Sequence, residues 1–478
     1  MGLYGIISPM TPEKKPVRVR LAPSPTGPLH IGTARTALFN LIFARQHKGA
    51  FLIRIEDTDH ERSKPEFEKD IIDGLAWLGI TPDEPPARQS ERGELYSRHL
   101  KKLLADGLAY YCYCTKEELE AEKQDMMSQG LAPKYSGRCR TATPDSRHPQ
   151  LIRLKTQEHD VSFHDFIRGK VTFDAGLIGD FPIAKNLDAP LYNFAVVVDD
   201  FDMKISHVIR GEDHIPNTPR QILIAEALGF SPPVYAHLPL LLSPQGGKLS
   251  KRDAELTTVS DYRAAGYLPA ALINFISLLG WHPEGDSAEL ITLPELIKNF
   301  SLERVQKGGA VINQSKFDWL NAHYIQQMSD DDLLEAILPF VPPGWLEEKD
   351  RLRRAAHIEK ERLKTLSDIK EQAAFIFKLP AYPPVMLLWK EMAPATALES
   401  LTRSLEIISG DPQYVEEKIV ALSQELGRGE VFWPLRVALS GQKNSPPPLD
   451  IFFTLGPRES VRRLEIALAK LKELSSRV

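Results

Sequence analysis

The chain has 478 residues, of which 42% are hydrophobic and 26% are charged, and its formal net charge is −5. This charge argues against a histone-like nucleic-acid binder, and the length suggests two to four domains. A run of about 18 apolar residues, enough to cross a membrane, is absent from the sequence. The N-terminus shows no secretory signal, and Ile6 stands where a myristoylation signal needs Ser or Thr. We therefore expect a cytoplasmic protein with no membrane partner.

The N-terminal region predicts a strand, a turn, a helix and a second strand. Val17 to Leu21 alternates apolar and charged residues, and the stretch that follows is too rich in proline for regular structure. We predict a helix from about His30 to Lys48 and a strand over Phe51 to Ile55, closed by an acidic turn that begins at Glu56. A glycine-bearing turn before a helix N-terminus binds anions, because free N–H groups and the positive end of the helix dipole face it. The imidazole of His30 at this point indicates phosphate chemistry.

The α/β pattern then continues with one interruption. From about Thr115 to Pro190 a charged helix and short strands break the pattern, and we interpret this segment as an insertion. The apolar run from Phe194 to Asp200 is typical of a buried parallel strand, and from Thr257 onward only helical periodicity is present. The other predicted elements are helices over residues 66–78, 94–105, 116–127 and 218–228, and strands over residues 109–114, 151–154, 161–167, 170–173, 206–214 and 235–242.

Two short motifs carry chemical information. HIGT, residues 30–33, contains a glycine that lets a ligand approach the backbone and an imidazole that can bind a phosphate oxygen. KLSKR, residues 248–252, follows a Gly-Gly loop, and its three cations suit the charge that develops on transferring phosphates. Taken alone, the first motif is equally compatible with a solvent-facing histidine and the second with a solvated basic loop.

Together, in this order and with an insertion between two α/β halves, these motifs resemble the HIGH and KMSKS signatures of class I aminoacyl-tRNA synthetases. The segments RLAPSPTGPLHIGTARTALFN, RIEDTD, LYNFAVVVDD, HVIRGEDH and KLSKR are similar to bacterial-type glutamyl-tRNA synthetases. The resemblance continues through LGWHPEG, KFDWLNAHYI and SPPPLDIFFTLG, so it covers nearly the whole chain. Thr33 and Leu249 depart from the class signatures, but both variants are common in the glutamyl branch.

The resemblance implies a Rossmann-type α/β class I catalytic domain with an inserted acceptor-binding subdomain, followed by an all-α stem-contact and anticodon-binding region. It implies ATP-dependent activation of L-glutamate to glutamyl-adenylate, with Mg²⁺ accompanying ATP, and transfer to the 3′-terminal adenosine of tRNA(Glu). A monomer is expected. The predicted domains are residues 16–114 and 191–255 for the two catalytic halves, 115–190 for the insertion, 256–328 for the stem-contact domain and 329–478 for the anticodon-binding domain.

Charge complementarity predicts part of the glutamate site. Glutamate has two carboxylates and one ammonium group, so its site needs cations and one acid. Arg20 and Arg210 are predicted at strand ends that face the ligand crevice of an open α/β sheet, where arginine can bind a carboxylate bidentately. Glu56, also at a strand end, can take the ammonium group. The alternative for Arg20 is an outward-facing strand residue like Arg18.

The resemblance adds further site residues. Val196 stands where some relatives carry a polar residue near the side-chain carboxylate of the substrate, so that contact is not carried over. By resemblance, the glutamate site comprises Arg20, Ala22, Ser24, Glu56, Tyr192 and Arg210, the ATP site comprises Thr26, His30, Gly32, Thr33, Asp213 and Lys251, and the catalytic residues are His30, Lys248 and Lys251.

All three cysteines of the chain lie within 28 residues, and the third of them lies in the predicted insertion. Clustered thiols in a reducing compartment favour a metal over a disulfide, and zinc prefers four such ligands. Cys112, Cys114, Tyr135 and Cys139 match relatives that bind a structural Zn²⁺ through Cys, Cys, Tyr and Cys. His148 is an alternative fourth ligand, and three thiols in a small core without metal are the alternative to the whole site.

Candidate tRNA contacts come from the C-terminal half. By resemblance, Arg304, Lys307 and Lys316 lie in the region that contacts the acceptor-side stem, while Trp433 and Arg436 offer the aromatic and cationic groups that suit unstacked anticodon bases. The alternatives are solvated basic faces and, for Trp433, a place in the core.

Three other functions fit parts of the sequence. A small-molecule nucleotidyltransferase would not need some 220 helical residues after KLSKR. A glutaminyl-tRNA synthetase would have a β-barrel C-terminal half, whereas Leu401 to Val478 predicts helices. A tRNA-binding regulatory protein that had lost catalysis would not keep both His30 and the full KLSKR motif.

Overall fold

The computed structural model describes residues 16–59, 61–141, 148–157, 159–243, 246–247, 256–285 and 289–475. The chain divides into two compact units, the first formed by Met1–Tyr262 with Leu272–Asn313 and the second by Arg263–Ala271 with Gln314–Val478. The KLSKR motif, with Lys248 and Lys251, lies outside the described residues. Among the described helices, none combines the length and hydrophobicity that a membrane span requires.

The described elements follow the α/β order in the first unit and are helical in the second. The strands are β1 (Arg18–Leu21), β2 (Ala50–Ile55), β3 (Ala87–Arg88), β4 (Ala109–Cys112), β5 (Leu151–Leu154), β6 (Asp160–Asp165), β7 (Gly169–Asp174), β8 (Pro182–Asn186), β9 (Ala189–Pro190), β10 (His207–Gly211), β11 (Val234–Leu238), β12 (Leu241–Leu242) and β13 (Ala310–Val311). The helices are α1 (Ile31–Gln46), α2 (Pro65–Trp77), α3 (Gly93–Ala105), α4 (Lys116–Ser128), α5 (Ala175–Ile178), α6 (Tyr192–Asp202), α7 (Thr218–Leu228), α8 (Val259–Ala264), α9 (Pro269–Ser277), α10 (Leu293–Asn299), α11 (Gln314–Gln326), α12 (Asp330–Ile337), α13 (Lys349–Glu359), α14 (Ile369–Gln372), α15 (Ala374–Phe377), α16 (Pro394–Ile408), α17 (Val415–Leu426), α18 (Arg428–Ser440), α19 (Pro448–Leu455) and α20 (Pro457–Ser475).

Two sets of parallel strands form the base of the site in the first unit. One set has the order β1-β2-β3, and in the other β10 pairs in parallel with β11. The amide of Ser206, directly before β10, donates to the carbonyl of Arg18 on β1 at 2.9 Å, so β1 and β10 run side by side. The carboxyl ends of parallel strands meet at one edge of a sheet, and this edge therefore carries Arg20, Glu56 and Arg210.

Antiparallel strands between residues 115 and 190 interrupt this parallel arrangement. Strands β5, β8 and β9 join β4 in an antiparallel sheet with the order β4-β5-β8-β9. Strands β6 and β7 form an antiparallel hairpin, and Asp165 at the end of β6 pairs with Tyr235 on β11. The hairpin therefore extends the sheet that carries β10 and β11.

The predicted strand over Phe194 to Asp200 is wrong, because these residues lie in helix α6. All seven are buried, Asp199 and Asp200 included, so no exposed polar face marks this run as a helix. A continuous apolar run does not distinguish a buried helix from a buried strand. The helical form has a chemical consequence: successive side chains point about 100° apart, so Asp199 and Asp200 share Arg54 but otherwise have different arginine partners, Arg92 and Arg20.

Smaller departures concern strand ends. The strand predicted to run to His214 ends at Gly211 and continues as a 3₁₀-helix, Glu212–Asn217. The strand predicted over Tyr235 to Leu242 is interrupted at Pro239, since proline cannot donate a ladder hydrogen bond. After residue 256 the described structure is helical apart from β13, which pairs with β12.

The described residues of the second unit from 314 to 475 contain helices and no strand. Their apolar faces form one buried core, which includes Leu401, Leu435 and Leu464 from α16, α18 and α20. This confirms the helical prediction for the C-terminal region.

Candidate active site

A cavity of about 410 Å³ opens at the carboxyl edge of β1 and β10 in the first unit. Thr26 is exposed and does not line this cavity. Ten of the predicted substrate residues line it together: Arg20, Ala22, Ser24, His30, Gly32, Thr33, Glu56, Tyr192, Arg210 and Asp213.

One side of the cavity is the N-terminus of α1. His30 caps this helix in an extended conformation, and its Nδ1 accepts a hydrogen bond from the amide of Gly32 at 3.2 Å. A neutral imidazole that accepts at Nδ1 carries its proton on Nε2, so this edge of the ring is a donor. The first turn of α1 contains no acidic residue that would oppose an anion. The helix N-terminus and the His30 ring together suit a phosphate group.

Arg20 is buried and held by an acid on α6. Its Nε and Nη2 donate to the two carboxylate oxygens of Asp200 at 3.1 and 3.3 Å. This arrangement leaves Nη1 as the nitrogen that Asp200 does not hold. The alternative of an outward-facing strand residue therefore does not apply to Arg20, since its side chain is only 4% exposed.

Arg54 is a buried cation that the sequence analysis missed. Its Nη1 lies 2.5 Å from Asp200 and its Nη2 lies 3.1 Å from Glu56, and Asp199 is 3.6 Å from its Nε. Burial alone would lower the pKa of Arg54, but the three carboxylates outweigh it and raise the pKa above its ordinary value. The alternation Arg-Ile-Glu at the end of β2 could have indicated that Arg54 and Glu56 point to the same side.

Glu56 is the acid that faces the cavity. Its backbone amide donates to the carbonyl of Pro23 at 2.9 Å, which ties the end of β2 to the turn after β1. Burial raises the pKa of Glu56 above its ordinary value, although Arg54 and Arg20 act in the opposite direction. A buried carboxylate with a raised pKa gains from a cation that enters the site, such as an ammonium group.

Arg210 supplies the second cation of the cavity. Its Nε donates to His237 at 3.2 Å, and its Nη2 donates to the hydroxyl of Thr218 at 2.9 Å. Its Nη1 is buried and has no hydrogen-bond partner among the described residues. A buried donor without a partner is costly, so Arg210 Nη1 is well suited to an anionic ligand in the cavity.

Tyr192 completes this side of the cavity. Its hydroxyl lies 3.0 Å from Nδ1 of His214, and burial lowers the pKa of His214 to about 4. A neutral imidazole can accept a hydrogen bond from the Tyr192 hydroxyl at Nδ1. This hydrogen bond fixes the Tyr192 ring beside the two arginines.

The three cysteines and Tyr135 lie together: Cys112 ends β4, Cys114 follows it, and Tyr135 and Cys139 come from the segment after residue 115. Cys114 Sγ is 3.5 Å from Cys139 Sγ, and the Tyr135 hydroxyl is 3.3 Å from Cys114 and 3.6 Å from Cys112. The three sulfur atoms lie within 4.8 Å of one another. Tetrahedral zinc with bonds of about 2.3 Å to sulfur separates its ligands by about 3.8 Å, which this cluster matches.

Two arginines flank the cysteine cluster. Arg138 Nε donates to Cys114 Sγ at 3.1 Å, and the Arg153 guanidinium stacks on the Tyr135 ring at 3.9 Å. A Zn²⁺ ion with three thiolates and one phenolate has a net charge of −2, which two guanidinium groups balance. The donor set therefore fits zinc. His148, the alternative ligand, is exposed and is not part of the described cluster.

The predicted tRNA residues are divided between the two units. In the first unit, Arg304 Nη1 lies 3.6 Å from Glu284, and Lys307 is exposed. In the second unit, Lys316 and Arg436 are half-buried.

Trp433 in the second unit packs against its neighbours. Its Nε1 donates to the carbonyl of Met386 at 3.0 Å, and its ring lies 4.8 Å from that of Trp389. These contacts favour a structural role for Trp433, and its contact with a base stays a prediction.

Two family models match this chain. The model described as "tRNA synthetases class I (E and Q), catalytic domain" matches residues 16–319, and the one described as "Anticodon binding domain" matches residues 332–468. The chain belongs to the class I tRNA synthetases of the E and Q family. The predicted family and fold class of this class I synthetase are confirmed.

Relatives of this class I synthetase match it over nearly its whole length. It is 42% identical to "Glutamate--tRNA ligase" of Carboxydothermus hydrogenoformans over 94% of this chain and 99% of the relative. It is 43% identical to the protein of the same name from Thermosynechococcus vestitus, over 90% of this chain and 93% of the relative. The crystal structure of a glutamate tRNA ligase from Elizabethkingia meningosepticum in complex with its amino acid superposes with a TM-score of 0.85 at 34% identity, covering 95% of this chain and 99% of that one.

Proposed function

We propose that this synthetase is a glutamate–tRNA ligase, which activates L-glutamate with ATP and transfers it to the 3′-terminal adenosine of tRNA(Glu). The observation that carries the substrate assignment is the charge pattern of the cavity. Two buried arginines and one buried carboxylate face a space of about 410 Å³, and the N-terminus of α1 forms an adjacent wall. Glutamate has the complementary pattern of two anionic groups and one cationic group.

Arg20 and Arg210 would each bind one carboxylate of glutamate. In each arginine, Nε and Nη2 donate hydrogen bonds to neighbouring side chains, and these bonds do not involve Nη1. Glu56 would take the ammonium group. Charge-assisted hydrogen bonds of this kind are about twice as strong as neutral ones, so the site selects a substrate with two carboxylates. Glutamine, which has a neutral amide, would leave one of the two arginines without its anion.

The first chemical step would be attack of the glutamate α-carboxylate on the α-phosphorus of ATP, with pyrophosphate as the leaving group. His30 Nε2–H and the amide groups at the start of α1 would bind the phosphates of ATP. Lys248 and Lys251 of the KLSKR motif would stabilise charge on the pyrophosphate side, a role that rests on the sequence motif. Mg²⁺ would accompany ATP. The residues act by positioning and by charge stabilisation, and no covalent enzyme intermediate is needed.

The second step would transfer the glutamyl group to a ribose hydroxyl of the tRNA. The inserted segment would hold the acceptor end, and Zn²⁺ bound by Cys112, Cys114, Tyr135 and Cys139 would keep that segment folded. The helical second unit would contact the anticodon arm. Its helical character, together with the match to an anticodon-binding family, favours a glutamyl over a glutaminyl enzyme. We propose a monomer that acts in the cytoplasm.

The test of this function is ATP–pyrophosphate exchange in the presence of tRNA(Glu). We expect exchange with L-glutamate and none above background with L-glutamine or L-aspartate. Aspartate is the stringent control, because it has the same charges on a chain that is one methylene shorter. Equal exchange with glutamine would refute the substrate assignment, and the absence of exchange with every amino acid would refute the enzymatic function.

A further inference from the structure

His237 on β11 lies directly behind the substrate-facing Arg210. The two residues are paired in the parallel register of β10 and β11, and His237 is completely buried. Nδ1 of His237 is 2.6 Å from the Asp165 carboxylate, and Nε2 is 3.2 Å from Nε of Arg210 and 3.3 Å from the Thr218 hydroxyl. Neither His237 nor Asp165 lines the substrate cavity.

These partners select one tautomer of the His237 ring. The Nε–H group of arginine is only a donor, so Nε2 of His237 must accept and cannot carry a proton. The proton then lies on Nδ1 and is donated to the Asp165 carboxylate. Burial lowers the pKa of His237 below its ordinary value, although Asp165 acts in the opposite direction, which keeps the ring neutral.

Asp165 is fixed by the backbone of the turn between β6 and β7. Its Oδ1 accepts hydrogen bonds from the amides of Ile167, Arg168 and His237 at 2.9, 2.8 and 3.3 Å, while Oδ2 faces the His237 ring. Burial opposes ionisation, but the His237 ring and the turn amides outweigh it, and the pKa of Asp165 is below its ordinary value. The two carboxylate oxygens therefore have different partners: Oδ1 binds backbone amides, and Oδ2 binds the His237 ring.

The effect on Arg210 is directional. His237 holds Nε, Thr218 holds Nη2, and the guanidinium plane can present only Nη1 to a ligand. If Nε lost its acceptor, the guanidinium could rotate about its last side-chain bonds. Glutamate would then bind more weakly, because binding would have to fix the orientation of the guanidinium.

We propose that His237 and Asp165 are positioning residues that hold Arg210 with Nη1 directed at a carboxylate of glutamate. This inference rests on the proposed function and deepens it, because it assigns the orientation of a substrate arginine to a buried pair outside the substrate cavity. Asp165 belongs to the inserted segment, whereas Arg210 and His237 belong to the parallel strands, so the insertion contributes to the amino-acid site.

Two substitutions of His237 distinguish the loss of the hydrogen-bond acceptor for Arg210 Nε from the loss of the imidazole ring. Glutamine places its terminal carbonyl near the position of Nε2 and can still accept from Arg210, whereas asparagine reaches only the position of Nδ1 and cannot. We expect His237→Asn to raise KM for glutamate by about tenfold or more, the loss typical of a hydrogen bond to a charged group. We expect His237→Gln to raise it by less than about threefold, and KM for ATP to stay within about twofold in both.

Asp165→Asn tests the tautomer without changing the shape of the site. The three backbone amides require the carbonyl oxygen of the new side chain at the Oδ1 position, so its NH₂ group must face Nδ1 of His237. The proton of His237 then moves to Nε2 and points at the Nε–H group of Arg210. We expect KM for glutamate to rise about tenfold or more. Glutamine has no ring tautomers, so in the His237→Gln background Asp165→Asn should change KM for glutamate by less than about twofold.

The experiment measures glutamate-dependent ATP–pyrophosphate exchange with the full chain and tRNA(Glu), over a range of glutamate and ATP concentrations. His164→Asn, an exposed histidine one residue before Asp165, is the control and should match the wild type. Thermal unfolding by circular dichroism checks each variant, and Asp165→Asn carries the test alone if His237→Asn does not fold.

The results distinguish the two proposals. Exchange absent from the wild type would refute the proposed function and, with it, this inference. If the wild type is active but either Asp165→Asn or His237→Asn keeps its KM for glutamate within about twofold of the wild type, the inference is overturned and the proposed function is not. The inference is also overturned if His237→Gln is impaired as much as His237→Asn, or if KM for ATP rises as much as KM for glutamate.

Discussion

Replacing Arg54 by methionine would remove a cation that lies between three buried carboxylates. Methionine keeps an unbranched stem of similar length, so the substitution removes charge and hydrogen bonds more than packing. Asp200 would keep Arg20, and Asp199 would keep Arg92 at 2.7 Å and Gln89 at 2.7 Å. Glu56 has no other hydrogen-bond or ion-pair partner among the described residues.

The substitution therefore removes three buried ion pairs, and Glu56 is the carboxylate that it leaves without a partner, because Asp200 keeps Arg20 and Asp199 keeps Arg92. Leaving a buried charge without its partner costs about 3–5 kcal/mol. In the variant Glu56 would bind a proton more readily, since its pKa is already raised by burial. The folded state would then bind more protons than the unfolded state, so the free energy of unfolding of the variant rises as pH falls toward the ordinary carboxyl range.

Native-state hydrogen exchange of the β1 and β2 amides is the appropriate assay, because it reports the opening free energy of this unit separately from the second unit. Arg45→Met is the matched control: Arg45 pairs with Asp83 at 2.8 Å, both side chains are about one-third exposed, and such a pair contributes only about 0.2–1 kcal/mol. A loss below about 1 kcal/mol for Arg54→Met, equal to that of the control, would refute the reasoning about the buried charges.

Three further predictions concern substrate binding, the cysteine cluster and the sequence motif. Glu56 must be ionised to bind an ammonium group, and its pKa is raised. As the pH is lowered, kcat/KM for glutamate should therefore begin to fall at a pH above the usual carboxyl range. Glu56→Gln should lower kcat/KM at pH 7 and remove this acid limb, and an unchanged pH profile would contradict the role of Glu56. Elemental analysis should find about one zinc per chain, and less in Cys139→Ser; a metal-free wild type would remove the site. Lys251→Ala should slow pyrophosphate exchange by about 100-fold or more without changing the circular dichroism spectrum, and full activity in this variant would exclude Lys251 from catalysis.

Local sequence patterns predicted the N-terminal half of the site. The strand alternation before Leu21 and the apolar periodicity after His30 determine β1 and α1, and Glu56 follows directly from the end of β2. A strand end fixes which edge of the sheet a residue occupies, so Arg20, Glu56 and Arg210 could be assigned to one crevice without knowing the contacts.

The groups that hold those residues could not be predicted in the same way. Asp200 lies 180 residues from Arg20 along the chain, and Asp165 lies 72 residues from His237. Neither pair shares a local pattern, and the continuous apolar run before Asp200 predicts a strand where the chain forms α6. A single sequence shows that a buried charge needs a partner but not which distant residue supplies it.

Aminoacylation of purified tRNA(Glu) and tRNA(Gln) transcripts with labelled amino acids tests the central claim most directly. The account predicts that tRNA(Glu) is charged with glutamate, that the reaction requires ATP, and that glutamine is not attached to either tRNA. Charging of tRNA(Gln) with glutamate would extend the range of tRNA substrates and leave the amino-acid site unchanged. Attachment of glutamine, or no attachment of glutamate to tRNA(Glu), would contradict the account.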